Sequence, residues 1–384
     1  MNTTDILKKL IEFPTVSRDS NLELIHFISE LITTKVVKPK IISNKEGTKA
    51  NLFAVTGPKI NHGVMLSGHT DVVPIDGQKW SKPPFKCTFE NGLYYGRGTA
   101  DMKGFVASAV NAFIKAQELN LSSPLYLALS YDEEIGCLGV RSMLEMLKNT
   151  SLLPSMCIVG EPTSMAVATG HKGKTALKAS CFGSEAHSAL APTAINSIHL
   201  ACDLVSEIRQ IQDDLKNNGT QDNAYDIPYT TLHVGKINGG IVLNIVPKET
   251  FIDFEIRNLA SDNPESILEK LDGKIKKIVD KAKKLTPSAD IKISTTNHYP
   301  GLETDINSEV VSFVKSLSGS NDTIKVAFGT EGGLFSSELL IPTVVCGPGS
   351  MNQGHKPDEF VSAVQLKACD QMLSTLINRL QKGI

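Results

Sequence analysis

Short apolar runs alternate with amphipathic stretches along the first half of the chain. "NLFAVTG", "GVMLSGH", "LYLALSY" and "MCIVGEP" are runs of the kind that lies buried in a sheet, and each predicts a strand. Between them, 103–118 ("KGFVASAVNAFIKAQE") and 138–148 read as helices, and the opening "MNTTDILKKLIEF" as an amphipathic helix. Strands and helices in that order predict a mostly parallel sheet with helices on both faces. In such sheets function gathers on loops at the carboxyl ends of the strands.

From about residue 175 the pattern changes. "TALKASCFG", "TTLHVGKING" and "TFIDFEIRNL" alternate apolar with polar positions, as half-buried antiparallel strands do. Amphipathic helical stretches near 193–215 and 264–285 sit among them. The Lys-rich "KIKKIVDKAKK" within the second keeps apolar residues at helical spacing and reads as a solvated helix face. After about 298 the first texture returns with "IKVAFGT", "IPTVVCGPG" and a closing helix from 361. The fold class predicted is α/β, a mixed, mostly parallel sheet flanked by helices. It spans 1–174 and 298–384, with an α+β domain of antiparallel sheet and two helices inserted at 175–297.

Composition narrows the function without naming it. The 384 residues are 41% hydrophobic and 21% charged, with a formal net charge of −2. That balance gives no reason to expect nucleic acid or an anionic membrane as a partner. No window of some 18 unbroken apolar residues supports a transmembrane helix, and the start lacks the apolar stretch of a secretory signal. The seven cysteines (87, 137, 157, 181, 202, 346, 369) are scattered and never form a CxxC pair. They suit reduced thiols in a cytoplasmic protein better than disulfides or a structural zinc site.

Four of the strand ends carry residues that favour metal ions. "MLSGHTDVVP" holds His69 and Asp71, and "YGRGTADMKG" holds Asp101. "LYLALSYDEEIGCLG" ends in Asp132, Glu133 and Glu134, and "CIVGEPT" in Glu161. A fifth stretch, "CGPGSMNQGHKPDEF", holds His355. Each has a plain reading by itself: a structural histidine, a helix N-cap at Asp101, a solvated carboxylate after a strand. Together these readings fare badly, because the predicted sheet lines the first four loops along one edge. Two histidines and three or more carboxylates suit one or two zinc-like divalent ions. One acid of the Asp-Glu-Glu run can then ligate a cation while its neighbour serves as general base, so the metal charge offsets the repulsion among them.

"SGHTDVVP", "GRGTADMKGF", "DEEIG", "VGEPT", "SEAHSA" and "GHKPDEF" resemble, in the same order and over essentially the whole chain, the co-catalytic zinc peptidases and deacylases. Within that family, "LIEFPTVSRDSNLELI", "FGTEGG" and "GPGSMNQGHKPDEF" look most like the amino-acid deacetylases. The resemblance implies two Zn2+ per subunit, with Co2+ able to substitute. It implies His69 and Glu161 on one ion, Glu134 and His355 on the other, and Asp101 bridging both. Asp71 would orient His69, Glu133 would be the general base, and the peptide between Asp101 and Met102 would be cis. It further implies that His187 reaches the partner subunit's active site and helps hold an oxyanion, which requires a homodimer formed through the inserted domain. Asn244, Arg257 and the Gly329–Thr330 backbone would take the α-carboxylate of a small N-acyl amino acid, and Glu331 is a candidate for a cationic amine. Ile241 and Val242 depart from the small polar residue that many relatives carry after the paired glycines. A related deacylase or carboxypeptidase acting on another N-acyl amino acid or a dipeptide is the alternative within the family. A metal-free binding protein on the same fold should lack one of the ligands. A phosphate loop at "GRGTADMKG" lacks both GxGxxG and the GK[ST] ending.

Overall fold

Leu125–Ser130 has no solvent face, since every residue in it is buried. The sheet around it explains why. A computed structural model describes residues 1–384, which divide into two units: 1–171 with 302–384, and 172–301. The chain begins with α1 (Thr3–Ile11), α2 (Leu22–Ile32), β1 (Lys40–Ser43), β2 (Ala50–Thr56), β3 (Val64–His69), β4 (Thr88–Glu90) and β5 (Leu93–Tyr95). It continues through α3 (Gly104–Gln117), β6 (Leu125–Ser130), α4 (Val140–Lys148), β7 (Met156–Val159) and β8 (Val167–His171). The second unit holds β9 (Lys174–Phe182), α5 (Ser197–Asn218), β10 (Thr231–Gly239), β11 (Glu249–Arg257), α6 (Pro264–Lys283) and β12 (Asp290–Tyr299). The first unit then resumes with β13 (Leu302–Glu303), α7 (Glu309–Ser318), β14 (Thr323–Val326) and α8 (Gly332–Leu339). It closes with β15 (Thr343–Val345), β16 (Phe360–Ser362) and α9 (Ala363–Lys382).

In the first unit the large sheet has the order β1-β2-β6-β3-β7-β15-β8-β13, with β14 beside β8. Its centre is parallel: β3 pairs with β6 and β7, and β15 pairs with β7. The β1–β2 and β2–β6 pairs are antiparallel, so parallel pairing is concentrated in the middle of a mixed sheet. Leu125, Leu127 and Leu129 face a core shared with α1, α2, α3, α7 and α9. Tyr126 and Ala128 point the other way, as alternate residues of a strand must, and are buried too. Burial on both faces is why the sequence here reads as a continuous apolar run rather than an alternation. The register sets His69 opposite Ser130 and Val345 opposite Val159. The carboxyl ends of β3, β6, β7 and β15 therefore open at one edge.

Helix α1 starts with a capping box, Asn2 accepting from the Asp5 N–H at 2.9 Å and Asp5 from the Asn2 N–H at 3.3 Å. Near its far end the buried Lys103 ammonium donates to the carbonyls of Leu10 at 3.1 Å and Phe13 at 2.7 Å. That contact ties the helix terminus to the segment just before α3. A small separate sheet, β16-β5-β4, braces the loops on either side of it; strands of three residues leave no periodicity to read.

The second unit is an antiparallel sheet of order β10-β11-β9-β12. Leu177, Ala179 and Cys181 of β9, with Ile252, Phe254 and Ile256 of β11, form a core with Leu204 and Ile208 of α5 and Leu271 and Ile275 of α6. On α6, Lys276, Lys277, Lys281 and Lys283 are exposed while Ile275, Val279 and Ala282 are buried, as an amphipathic surface helix requires. All seven cysteines are free. No helix is long and apolar enough to cross a membrane.

Candidate active site

Each parallel strand delivers a polar group to the same edge. β3 ends on His69, whose side chain is 1% exposed. Its Nδ1 lies 2.9 Å from the Asp71 carbonyl oxygen, which can only accept, so Nδ1 carries a proton and Nε2 is turned toward Asp101. The Asp71 carboxylate is farther from Nδ1, at 3.4 Å. It also accepts from Ser17 Oγ at 2.6 Å and from the N–H groups of Glu133 at 3.1 Å and Glu134 at 3.4 Å. Asp71 thus meets the imidazole through both its main-chain carbonyl and its carboxylate, and the carboxylate also holds the loop after β6.

Asp101 is not a helix cap. Helix α3 begins only at Gly104, and the residue before it, Lys103, makes no side-chain cap. Asp101 and Met102 have non-helical backbone angles within the preceding turn, and the peptide between them is cis. This conformation aims the Asp101 carboxylate at two imidazoles. Its Oδ1 is 3.0 Å from His69 Nε2 and its Oδ2 is 3.0 Å from His355 Nε2. His355 also approaches Glu134 at 3.0 Å, and His69 approaches Glu161 at 3.6 Å. The ligand atoms of His69, Asp101 and Glu134 all lie within 4.8 Å of one another, as do those of His69, Glu133 and Glu161.

These acids meet little positive charge from the chain. Asp132, the first of the three consecutive acids, pairs with Lys49 at 2.7 Å. Burial pushes Glu134 up to about 7, with Asp101 adding to the effect. Burial likewise lifts Glu133 and Glu161 well above the ordinary carboxylate range, and Glu331 to about 7. Asp101 and Asp71 are driven down instead: contacts with His355 and His69 outweigh burial at Asp101, and contacts with His69, Ser17 and the Glu133 N–H outweigh it at Asp71. The same contacts lift His355 to about 10. A cluster that draws protons this strongly, built from imidazole nitrogen and carboxylate oxygen, has the donor set of a divalent-cation site.

A pH dependence of stability follows for metal-free protein. A carboxyl whose folded value lies above its unfolded one stabilises the fold fully below the unfolded value, near 4.3, and that contribution is lost as pH rises through the folded value. For Glu134 and Glu331 the window closes at about 7. Chelator-treated protein is therefore expected to melt at a lower temperature at pH 7 than at pH 5, and a divalent cation at pH 7 should restore the difference. An equal or higher melting temperature at pH 7 would contradict this account of the cluster.

Residues 65–379 match the family model described as peptidase family M20/M25/M40. The chain belongs to that family. It is a metal-dependent amidohydrolase, on a mixed α/β fold with a separate antiparallel sheet. It is 32% identical to acetylornithine deacetylase of Pasteurella multocida (strain Pm70), with 97% of each chain covered. Among solved structures it is similar to an M20 family metallo-carboxypeptidase of Sulfolobus solfataricus, at TM-score 0.81, 19% identity and full coverage of both chains. A dinuclear metal-binding peptidase of Bacillus subtilis superposes at TM-score 0.70 with 13% identity, over 100% of this chain and 98% of that one.

The remaining candidates of this M20 member fall in two places. In the first unit, Gly329 and Thr330 precede α8, and the buried Thr330 Oγ1 accepts the Gly332 N–H at 2.9 Å. Glu331 is 2% exposed, and one oxygen takes Ser67 Oγ at 3.5 Å. In the second unit, His187 and Asn244 come together although 57 positions separate them in the sequence. Ser188 N–H donates to the Asn244 carbonyl at 3.0 Å, and His187 pairs with Ile245. His187 is exposed and its Nδ1 accepts the Ala189 N–H at 3.1 Å. Arg257 Nε donates to Glu255 at 2.9 Å and Nη1 to the Tyr299 hydroxyl at 3.2 Å. Ile241 and Val242 are 83% and 49% exposed.

Sequence reasoning assigns no role to Ser17, Lys49, Arg97 or Glu359, although all but Lys49 stand inside motifs it singles out. Their partners lie tens to hundreds of positions away, beyond any local spacing.

Proposed function

We propose that this enzyme removes the acetyl group from N2-acetyl-L-ornithine, giving L-ornithine and acetate, with two divalent cations in the cluster described above. Zinc is the proposed native metal, with cobalt able to replace it. The observation that carries the two-cation reading is the Asp101 carboxylate, whose oxygens are divided between His69 and His355 at 3.0 Å each. That is the arrangement expected of a bridging ligand. His69 and Glu161 would complete one site, and Glu134 and His355 the other.

Cations held there would supply acidity to a bound water and polarise the substrate's amide carbonyl. The protein's own groups do the rest. Glu133 is buried and its carboxyl has a raised affinity for protons; it takes the proton from the attacking water and returns it to the leaving amine. Ser17, Asp71 and the Glu133 N–H form a chain that holds this base in place. We assign His187 of the partner subunit to the developing oxyanion, within a homodimer formed through 172–301. The edge strands β10 and β12 offer a joining surface for that unit. Arg257, Asn244 and the Gly329–Thr330 backbone are assigned to the α-carboxylate, for which a guanidinium fork is well shaped. Glu331 is assigned to the cationic amine.

The choice of acetylornithine draws its support from the 32% identity to the Pasteurella multocida deacetylase. Ile241 and Val242 favour weighing a second reading, a deacylase or carboxypeptidase for another N-acyl amino acid or a dipeptide such as succinyl-diaminopimelate. The free cysteines support a cytoplasmic site of action. Metal analysis of the purified protein, joined to a panel of N-acyl amino acids assayed with zinc and with cobalt, tests both levels. Two equivalents of metal per chain and acetylornithine among the fastest substrates are expected. A slow acetylornithine reaction would remove the substrate name, and a protein active without metal would remove the mechanism.

A further inference from the structure

Glu359 gathers the loops behind the candidate ligands. Its Oε1 accepts the N–H groups of Ala100 at 2.9 Å and Asp101 at 3.1 Å. Its Oε2 accepts the Gly98 N–H at 3.1 Å and Arg97 Nη1 at 2.7 Å. Arg97 Nη2 passes the chain on to Gln78 Oε1 at 2.5 Å, and Gln78 Nε2 donates to the His355 main-chain carbonyl at 2.9 Å. The guanidinium lies over the Trp80 ring at 5.0 Å, and both Arg97 and Glu359 are 1% exposed. A network therefore runs from the N–H of Asp101 to the carbonyl of His355, dry at Glu359 and Arg97 and open to solvent at its Gln78–His355 end, through side chains that are not themselves candidate ligands.

A carboxylate offers about four acceptor positions, and here four donors use them. That saturation makes the anion hard to replace. A glutamine of the same size would turn an amide NH2 toward at least one pair of N–H donors, leaving buried groups unpaired or moving the segment 98–101. Three groups of the carboxylate's shell belong to the main chain just before or at Asp101. Movement there is passed directly to the carboxylate that faces both histidines.

We propose that Glu359 is a positioning residue that sets Asp101 against His355, and so sets the affinity of the Asp101–Glu134–His355 group for a divalent cation. This rests on the two-cation reading and deepens it. Groups that orient a metal's ligands in this way are worth roughly 10–100-fold in metal affinity.

The test titrates Zn2+ against a competing chelator, and records the visible absorption spectrum of the Co2+-loaded protein, for wild type and Glu359→Gln. We expect the weaker of the two binding steps to fall roughly 10–100-fold and the cobalt spectrum to change. Leu376→Ala, a core change in α9, serves as a control for general loosening; it should leave both readouts alone. Wild-type affinity and spectrum in Glu359→Gln would overturn the proposal, and so would an equal loss in Leu376→Ala. If Glu359→Gln does not fold, Gln78→Ala decides. It cuts the branch to His355, along with the hydrogen bonds that Arg97 Nη2 and Trp80 Nε1 make to Gln78, while leaving the four donors on Glu359 in place; a several-fold weakening supports the proposal whereas unchanged binding overturns it. A wild type that binds fewer than two ions would instead remove the two-cation reading itself, an outcome seen before any variant is compared.

Discussion

Replacing Glu133 with Gln is expected to lower kcat by roughly 10^2–10^4-fold, the usual value of a positioned general base, while leaving the metal content unchanged. Gln keeps the size of the side chain and can still receive a hydrogen bond, but it cannot take a proton. The main chain at 133 stays anchored, because its N–H donates to Asp71 Oδ1 at 3.1 Å whatever the side chain is. The experiment also decides between two geometries. Ligand atoms of His69, Glu133 and Glu161 lie within 4.8 Å of one another, so Glu133 is placed as well for ligation as for base catalysis. Loss of a metal equivalent in Glu133→Gln would reassign the residue as a ligand. Turnover within tenfold of wild type would remove both roles.

Asp101→Asn should do greater damage. The amide is neutral and has one oxygen, where the carboxylate addresses His69 and His355 through separate oxygens. We expect metal content to fall from two equivalents to one or fewer, and kcat/KM to fall by roughly 10^3-fold or more. A paired cation supplies several kcal/mol of transition-state stabilisation, and each 1.4 kcal/mol is about tenfold in rate. The two effects must appear together. A variant that still holds two ions and retains activity within tenfold of wild type would show that Asp101 does not bridge.

The two variants differ in what they leave behind. Glu133→Gln should keep the cations and lose the chemistry, and Asp101→Asn should lose both. Glu359→Gln is expected to fall between them, weakening one binding step without touching any group that contacts substrate. A series of this kind separates holding a metal from using it.

The candidate residues at the strand ends were legible before the fold was known, for a local reason. A strand buried on both faces must be apolar along its length, so the residue at which polarity begins marks its carboxyl end. His69, Glu133, Glu134 and Glu161 all follow such boundaries. Parallel order then places them on one edge whatever the details. The inserted antiparallel unit was legible for the same kind of reason, since period-two alternation in β9 and β11 records one buried face each.

Other readings depended on contacts that no spacing encodes. An Asp after glycines and before a helix is ordinarily a cap, yet Asp101 lies in a non-helical turn with its carboxylate between two histidines. The carboxylate of Asp71 lies 3.4 Å from His69 Nδ1 and also accepts from Ser17, 54 positions earlier, and from the loop after β6. The first acid after β6 is met by Lys49, 83 positions earlier.

The sequence by itself determined which residue types end which strands, the order of the motifs, and through them the family and its metal chemistry. The strand ends follow from burial and periodicity, which act over a few residues; the family follows from the resemblance that the motifs carry. Only the tertiary structure set the distances of the Asp101 carboxylate from the two histidines, put the Asp71 carbonyl against His69 Nδ1, and brought Glu359, some 260 positions from the loop it binds, behind them as support. A hydrogen bond acts over about 3 Å, and whether two distant segments come that close is settled by the packing of the whole chain.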